Sequence, residues 1–169
     1  MLDHVPFDGW TDAAFRAAAG DAGIAPELAR VIAPRGGLDM AVDYHRRGDA
    51  RMIARLAEAD LAALRIRDRI ATAVRFRLEA GDREIIRRGM TLFALPQSAA
   101  TGAGLLWGTA DAIWAALGDT SQDVNWYSKR ATLSAVYGAT VLFWLGDHSE
   151  GNAETWEFLD RRIENVMQI

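Results

Sequence analysis

Apolar residues recur along most of the chain at spacings of three and four, which places them on one face of an α-helix. No stretch alternates apolar and polar residues over the length that a strand needs. The sequence therefore predicts an all-α fold, with helices over residues 12–19, 26–32, 38–64, 67–80, 83–95, 96–117, 121–145 and 152–169.

Capping residues mark several of these helix starts. Thr11 and Asp82 stand directly before apolar-periodic segments and are predicted N-caps, since their side-chain oxygens can accept from free backbone N–H groups. Thr120, with Asp123 three positions later, is predicted to cap the helix over residues 121–145. Gly48 is a predicted weak point inside the long helix over residues 38–64.

The helix over residues 121–145 is apolar on most of its circumference, which is typical of a helix at the centre of a bundle. Its large side chains form one stripe and its small ones a second: Trp126, Leu133, Tyr137, Val141 and Trp144, then Ala131, Ala135 and Gly138. Its first turn instead mixes aromatic and charged groups, as contact surfaces do. Trp126 belongs to the apolar stripe by spacing and to the contact surface by position, so both interpretations stay open.

Small residues four apart mark one face of the helix over residues 96–117, at Ala100, Gly104, Gly108 and Ala112. Close packing of a neighbouring helix is the favoured interpretation, and space for an apolar ligand is the alternative. The ligand hypothesis predicts a lipid-binding cavity among the helices that carry Phe76, Met90, Phe93, Trp107, Trp114, Leu133 and Tyr137. For each of these side chains taken singly, an ordinary core position is the favoured interpretation.

Composition and charge limit the number of domains and the kinds of site that the chain can form. The chain has 169 residues, enough for one domain, and it lacks cysteine, which excludes disulfides, thiolate zinc sites and a cysteine nucleophile. Net charge is −4, yet residues 46–88 hold 12 arginines against 7 acids. Interleaved charge on solvated helix faces is the favoured interpretation of this segment, and an anionic partner is the alternative.

Targeting and membrane signals are not evident in the sequence. Residues 1–8 are acidic and contain a proline, unlike a secretory or transit peptide. The longest apolar stretches are interrupted by polar residues or are shorter than the ~20 residues that a spanning helix needs. We therefore expect a cytoplasmic protein.

Enzyme signatures are also missing. The three histidines are His4, His45 and His148, and none follows a glutamate by three residues as in di-iron bundle sites. Neither a nucleophile elbow nor a phosphate-binding loop occurs. Asp111 is a candidate buried acid, although the favoured interpretation is structural, an acid that caps a neighbouring helix or is bonded to a tyrosine or an arginine. We expect no catalytic residue, no metal and no cofactor.

One combination of motifs resembles a known family. Residues 119–133 read Asp-Thr-Ser-x-Asp-x-Asn-Trp-Tyr-x-Lys-Arg-Ala-x-Leu, preceded by Ala-Asp-x-Ile-Trp at 110–114 and followed by Thr-Trp-x-Phe-Leu-x-x-Arg-Ile at 155–163. Together they resemble the ubiquinone biosynthesis accessory family called coenzyme Q biosynthesis protein nine. Gly-Trp-Thr at 9–11 and Pro-Arg-Gly at 34–36 are similar to the opening of the same family.

The resemblance implies a TetR-like bundle of about eight to nine helices. It implies one domain over residues 1–169, with a vestigial helix-turn-helix region at 1–47 and a lipid-binding helical core at 48–169. Family members bind isoprenoid lipid or ubiquinone precursors instead of nucleic acid, and they assist a demethoxyubiquinone hydroxylase. The TetR-like fold also implies a homodimer paired through the last two helices, with Trp144 and Trp156 as candidates.

The resemblance places partner binding at the Asn-Trp-Tyr motif. It assigns Trp126 and Tyr127 to the partner surface, with Asp123 and Arg130 as neighbours. Relatives continue past the final Arg-Ile-x-x-x-Met segment into an amphipathic membrane-binding helix, whereas this sequence ends at Ile169. The arginine-rich segment is then the expected contributor to peripheral contact with the inner face of a bacterial membrane, at about 1 kcal/mol per residue near an anionic surface.

Two other functions remain as alternatives. A TetR-type DNA-binding regulator with a small-molecule pocket would share this architecture but needs a polar recognition helix, and residues 25–32 contain one basic residue, Arg30. A small enzyme with Asp111 as its base is the second alternative.

Overall fold

The computed structural model describes residues 1–167. These residues form nine α-helices and no strand, so within them the predicted all-α fold is confirmed. The helices are α1 Val5–Asp8, α2 Asp12–Asp21, α3 Pro26–Ile32, α4 Gly37–Glu58, α5 Ile66–Glu79, α6 Arg83–Phe93, α7 Ala99–Ala116, α8 Val124–Gly146 and α9 Ala153–Met167, with a 3₁₀ turn at Glu150–Asn152.

Two predicted caps are confirmed. The Thr11 hydroxyl accepts from the backbone N–H of Ala14 at 3.2 Å, and the Asp82 carboxylate accepts from those of Glu84 and Ile85 at 2.9 and 3.0 Å. These bonds satisfy N–H groups that have no partner inside the first turn of a helix.

The predicted cap at Thr120 is wrong. α8 begins at Val124, and Asp123 is its N-cap, since its carboxylate accepts from the backbone N–H of Asn125 at 2.9 Å. The aspartate predicted to assist the cap therefore provides it alone.

The long helix predicted over residues 38–64 ends early, at Glu58. The Asp60 carboxylate accepts from the Ala62 N–H at 3.2 Å, and the Arg69 guanidinium donates to the carbonyls of Leu64 and Ala62 at 2.9 and 3.1 Å. These bonds give the backbone partners outside a helix, so the segment forms a loop.

The chain divides into two compact units. Unit 1 consists of residues 1–47 and 81–105, and unit 2 consists of residues 48–80 and of the chain from Leu106 onward. The boundary after Arg47 coincides with the predicted end of the helix-turn-helix region, whereas the membership of residues 81–105 in unit 1 was not predicted. The single-domain organisation over residues 1–169 stays a prediction.

Trp10 lies at the centre of one core of unit 1. It is buried with Val5, Ala41 and Ile85, its indole N–H donates to the Ile85 carbonyl at 3.4 Å, and its ring centroid lies 5.8 Å from that of Tyr44. The tryptophan thereby joins the N-terminal segment to α4 and α6 through both apolar contact and a hydrogen bond.

Unit 2 has a core in which α9 packs against both α5 and α8. Five helices contribute large buried side chains: Met52 and Leu56 of α4, Ile70, Val74 and Leu78 of α5, Ile113 of α7, Leu133, Val136, Tyr137, Val141 and Trp144 of α8, and Leu159 and Ile163 of α9. The predicted apolar stripe of α8 is therefore core from Leu133 onward. Trp144, a predicted dimer contact, is buried within this unit.

A buried ion pair explains Gly48. α4 passes through this glycine without a break, and a Cβ there would lie 2.5 Å from the Arg77 guanidinium. Arg77 donates to Asp49 at 2.6 Å, and Thr109 donates to the same carboxylate at 2.9 Å. Gly48, the predicted weak point, therefore leaves room for the Arg77 guanidinium where a side chain would otherwise lie.

The arginine-rich segment pairs largely with nearby carboxylates. Within units, Arg55 and Arg75 pair with Glu79, Arg65 and Arg67 with Asp68, and Arg87 and Arg88 with Glu84. This pattern supports the interpretation as interleaved charge on helix faces.

The small-residue face of α7 makes no close approach at its two central glycines. Gly104 and Gly108 are exposed, and a Cβ at either would have no described neighbouring atom within 4 Å. The close contact lies instead at Gly102, where a Cβ would meet the Phe93 Cβ at 2.7 Å. The favoured interpretation of the stripe, helix packing, is therefore wrong at Gly104 and Gly108.

Candidate functional site

The first turn of α8 presents a group of aromatic side chains. Tyr127 is 64% exposed and Val124 is also exposed, whereas Trp126 and Trp107 are half-buried. The Trp126 ring centroid lies 4.8 Å from that of Tyr127 in an edge-to-face arrangement and 5.9 Å from that of Trp107. We call Val124, Trp126 and Tyr127, with Trp107 beside them, the aromatic surface.

Arg130 lies beneath this surface and is only 3% exposed. Its guanidinium donates to Asp111 at 2.6 Å, to Asp119 at 3.0 Å and to the Trp126 carbonyl at 3.2 Å, and its Cζ lies 4.1 Å from the Trp126 ring centroid. Burial by itself lowers the pKa of this guanidinium, but the bonds to Asp111 and Asp119 raise it overall. Arg130, predicted as a partner contact, therefore supports the aromatic surface from inside.

Asp119 connects the loop before α8 to that helix. Its buried carboxylate accepts from Lys129 Nζ at 2.8 Å, from the Ser121 hydroxyl at 2.7 Å and from Arg130 at 3.0 Å. The pKa of Asp119 is held well below its usual range, chiefly by the hydrogen bond from Lys129. Burial raises this pKa, whereas the bonds from Ser121 and Arg130 lower it further. The loop is therefore fixed to two cationic side chains of α8.

Asp111 is not the buried acid considered as a catalytic candidate. Its side chain is 48% exposed and forms an ion pair with Arg130. This is the interpretation of Asp111 that the sequence favoured, an acid bonded to an arginine. The geometry gives Asp111 a structural role.

A cavity of about 530 Å³ lies within unit 2, between α5, α7, α8 and α9. Its lining is apolar on one side and carries polar side chains of α8 on another: Ile66, Ile70, Trp114, Leu133, Val136 and Ile163, then Asn125, Ser128, Lys129 and Thr132. The Trp114 indole N–H donates to the Lys129 carbonyl at 3.1 Å, which joins α7 to α8 at the cavity. We call this space the unit 2 cavity.

The predicted lipid-binding residues are distributed over both units. Trp114 and Leu133 line the unit 2 cavity. Phe76, Trp107 and Tyr137 belong to unit 2 outside its lining, while Met90 and Phe93 belong to unit 1.

The other predicted side chains of unit 2 have identifiable contacts. The Phe76 ring lies 3.9 Å from Arg55 Cζ, and the Tyr137 ring lies 6.0 Å from Arg77 Cζ. Burial raises the pKa of the Tyr137 hydroxyl. The lipid-binding assignment of all seven residues stays a prediction.

The four predicted partner residues occupy one end of α8, but only some are accessible. Asp123 and Tyr127 are exposed, Trp126 is half-buried and Arg130 is buried. Asp119, Ile66 and Ile163 were not among the predicted site residues, although Asp119 and Ile163 lie in the motifs that carry the family resemblance. A carboxylate shortly before a helix that carries adjacent cations was the available signal for Asp119; no periodicity indicated that the two isoleucines face one cavity.

No group of three or more histidine, cysteine, aspartate or glutamate side chains among the described residues is placed to hold a metal ion. No helix within residues 1–167 is both long and apolar enough to cross a membrane.

Comparisons with known proteins agree with the resemblance. Residues 99–169 match the family model described as COQ9. "Ubiquinone biosynthesis protein COQ9, mitochondrial" of Drosophila melanogaster is 32% identical over 99% of this chain and 53% of that protein, and its Rattus norvegicus counterpart is 29% identical over 99% and 56%. The chain spans about half the length of these relatives.

A solved structure shows the same fold. A TetR transcriptional regulator from Nitrosomonas europaea superposes with a TM-score of 0.71 over 92% of this chain and 86% of that one, at 19% identity. This likeness confirms the TetR-like architecture and nothing more specific. By its match to the family model and its similarity to these relatives along nearly its whole length, the chain is a homologue of the COQ9 proteins.

Proposed function

We propose that this chain is a non-catalytic accessory protein of ubiquinone biosynthesis that binds an isoprenoid quinone intermediate or a phospholipid and assists a demethoxyubiquinone hydroxylase. The similar COQ9 proteins are ubiquinone biosynthesis proteins, which suggests the pathway. The observation that carries the proposal is that Asn125 lines the unit 2 cavity and directly precedes Trp126 and Tyr127 of the aromatic surface. A ligand site and a docking surface would thus share the first turn of α8.

The unit 2 cavity suits a lipid-like ligand. Its volume of about 530 Å³ lies within the ~300–1,000 Å³ range of small-molecule sites. The hydroxyls of Ser128 and Thr132 donate to the carbonyls of Asn125 and Ser128 at 3.2 and 2.7 Å, which leaves their oxygens available as acceptors. A ligand with a polar head and a hydrocarbon tail would meet these groups and the isoleucines respectively.

The aromatic surface suits a protein partner. Aromatic and arginine side chains dominate the energetics of many interfaces. Tyr127 is exposed, and the Arg130 network holds Trp126 beside it. Partner binding would therefore use a preorganised surface, which reduces the ordering that association requires.

The TetR-type regulator is the less well supported alternative. Leu28, Val31 and Ile32 are exposed on α3, the helix at the recognition position. A DNA-reading helix instead needs side chains that bond to bases and phosphates.

Lipid extraction followed by mass spectrometry tests the ligand half of the proposal. Thr132→Phe would place a ring in the unit 2 cavity, and Ala131→Phe, at the adjacent exposed position, is its matched control. Protein purified from ubiquinone-producing cells should carry isoprenoid or phospholipid in the wild type and the control, and at least 10-fold less in Thr132→Phe. Equal lipid in all three, or none in the wild type, would count against the proposal.

A further inference from the structure

A second cavity lies within unit 1, around α2 and α3, and none of the residues predicted to bind lipid lines it. Its volume is about 240 Å³. All ten residues that line it are apolar, and five are alanines, including Ala18 and Ala29. Phe15 and Met40 form larger parts of the wall. Short side chains where α2 packs on α3 leave this space open.

The cavity reaches the surface at the apolar side of α3. Ile32 lines the cavity and is 67% exposed, and Val31 beside it is 76% exposed. Arg30, which precedes these two residues on α3, is paired, since its guanidinium donates to the Asp12 carboxylate of α2. The opening therefore offers apolar side chains and no available charge from this pair.

We propose that the unit 1 cavity is a binding site for the uncharged hydrocarbon tail of a lipid. An apolar cavity of about 150 Å³ is enough to bind benzene, so this larger space can hold part of a chain. It is smaller than the ~300 Å³ at which sites for whole small molecules begin. No lining side chain can bond a polar head. The tail end of an isoprenoid or acyl chain fits these properties, with its head remaining outside.

Isoleucine methyl groups report on the two cavities separately. Ile24 and Ile32 line the unit 1 cavity, whereas Ile66, Ile70 and Ile163 line the unit 2 cavity. In the full chain with ¹³C-labelled isoleucine methyls, titration with decane or farnesol should shift the Ile24 and Ile32 signals in a saturable manner. Both probes should produce these shifts, because the proposed site binds only a hydrocarbon chain.

Matched variants on α2 test the assignment. Ala18 lines the cavity and is half-buried, while the adjacent Ala17 is exposed and does not line it. Ala18→Leu should weaken the Ile24 and Ile32 response at least 10-fold, and Ala17→Leu should leave it unchanged. Ala22→Leu, at an exposed position of the lining, repeats the test should Ala18→Leu fail to fold.

Three results would overturn the site. Probes that shift only the Ile66, Ile70 and Ile163 signals would place binding in unit 2 alone. An unchanged Ile24 response in the folded cavity-filling variants would mean that the probe binds elsewhere. Shifts of Ile32 that depend on protein concentration, without probe, would assign the α3 surface to a second copy of the chain. If the probes shift the Ile24 and Ile32 signals but not those of Ile66, Ile70 and Ile163, the result counts against the proposed function and leaves the unit 1 site supported.

Discussion

The guanidinium carbon of Arg130 lies 4.1 Å from the centroid of the Trp126 ring, one helical turn earlier on α8. The same guanidinium is held by Asp111 and Asp119, so the position of the tryptophan depends on two carboxylates outside α8. Removing Arg130 should therefore affect both stability and partner binding, because Arg130 supports the aromatic surface. Removing Tyr127 should affect partner binding alone, because Tyr127 is part of that surface.

Tyr127→Ala should weaken association with the hydroxylase by at least 10-fold while leaving stability within about 0.5 kcal/mol, since Tyr127 is exposed. The measurement is a pull-down or calorimetric titration alongside urea unfolding. Gln122→Ala is the control, since this residue is exposed in the loop before α8 and does not line the unit 2 cavity. Wild-type affinity in Tyr127→Ala would remove this residue from the interface.

Arg130→Met should lower the free energy of unfolding by about 2–3 kcal/mol, because several charge-assisted bonds are lost in a buried setting. Partner affinity should also fall, since Trp126 loses its support. Urea unfolding measures the first effect, and near-ultraviolet circular dichroism reports the tryptophan environment. Unchanged stability and an unchanged spectrum would mean that the network does not position the ring.

The two helical glycines Gly48 and Gly104 should respond oppositely to alanine. At Gly48 a Cβ would lie 2.5 Å from the Arg77 guanidinium, so Gly48→Ala should destabilise by roughly 1–3 kcal/mol. At Gly104 a Cβ has open space, so Gly104→Ala should stabilise by about 0.5–1 kcal/mol through the lower flexibility of alanine in the unfolded chain. Thermal unfolding of the two variants measures these changes. Equal changes in stability would contradict the crowded environment of Gly48 and the open one of Gly104.

Two buried carboxylates should make stability fall in acid. The pKa of Asp119 is held well below its usual range chiefly by Lys129, and that of Asp147 chiefly by Ser149 and then Thr155. Because these folded-state pKa values are depressed, the stabilisation is complete above the unfolded value of about 3.9 and is lost as pH falls below it.

Urea unfolding between pH 7 and pH 2.5 measures this loss. Asp147→Asn and Asp119→Asn should each be less stable than the wild type at pH 7 and should show a smaller decrease in acid. A pH dependence identical to that of the wild type in either variant would show that the carboxylate concerned does not titrate as described.

Local signals predicted much of the fold. Pro26 placed the start of α3 correctly because its fixed backbone angle suits the first helical turn. Thr120 was misassigned because two capping residues stood within one turn, and periodicity cannot decide which carries the hydrogen bond. The early end of α4 depends on Arg69, which lies beyond the loop that it stabilises.

The candidate site was harder to predict because its contacts join distant parts of the sequence. Arg130 follows two aromatic residues and resembled an exposed contact, but Asp111 lies 19 residues earlier and neutralises it inside the protein. Trp126 is half-buried, so both of its predicted roles stay predictions. The unit 2 cavity likewise combines four helices, and only Trp114 and Leu133 of its lining were in the predicted set.

The ratio of demethoxyubiquinone to ubiquinone in the native host tests the central claim most directly. Cells should be compared by liquid chromatography and mass spectrometry after deletion of the gene and complementation with wild type, Tyr127→Ala or Thr132→Phe at matched protein levels. We predict that deletion raises the ratio, that the wild type restores it, and that each variant restores it only in part. A normal ratio in cells that lack the protein would contradict the account.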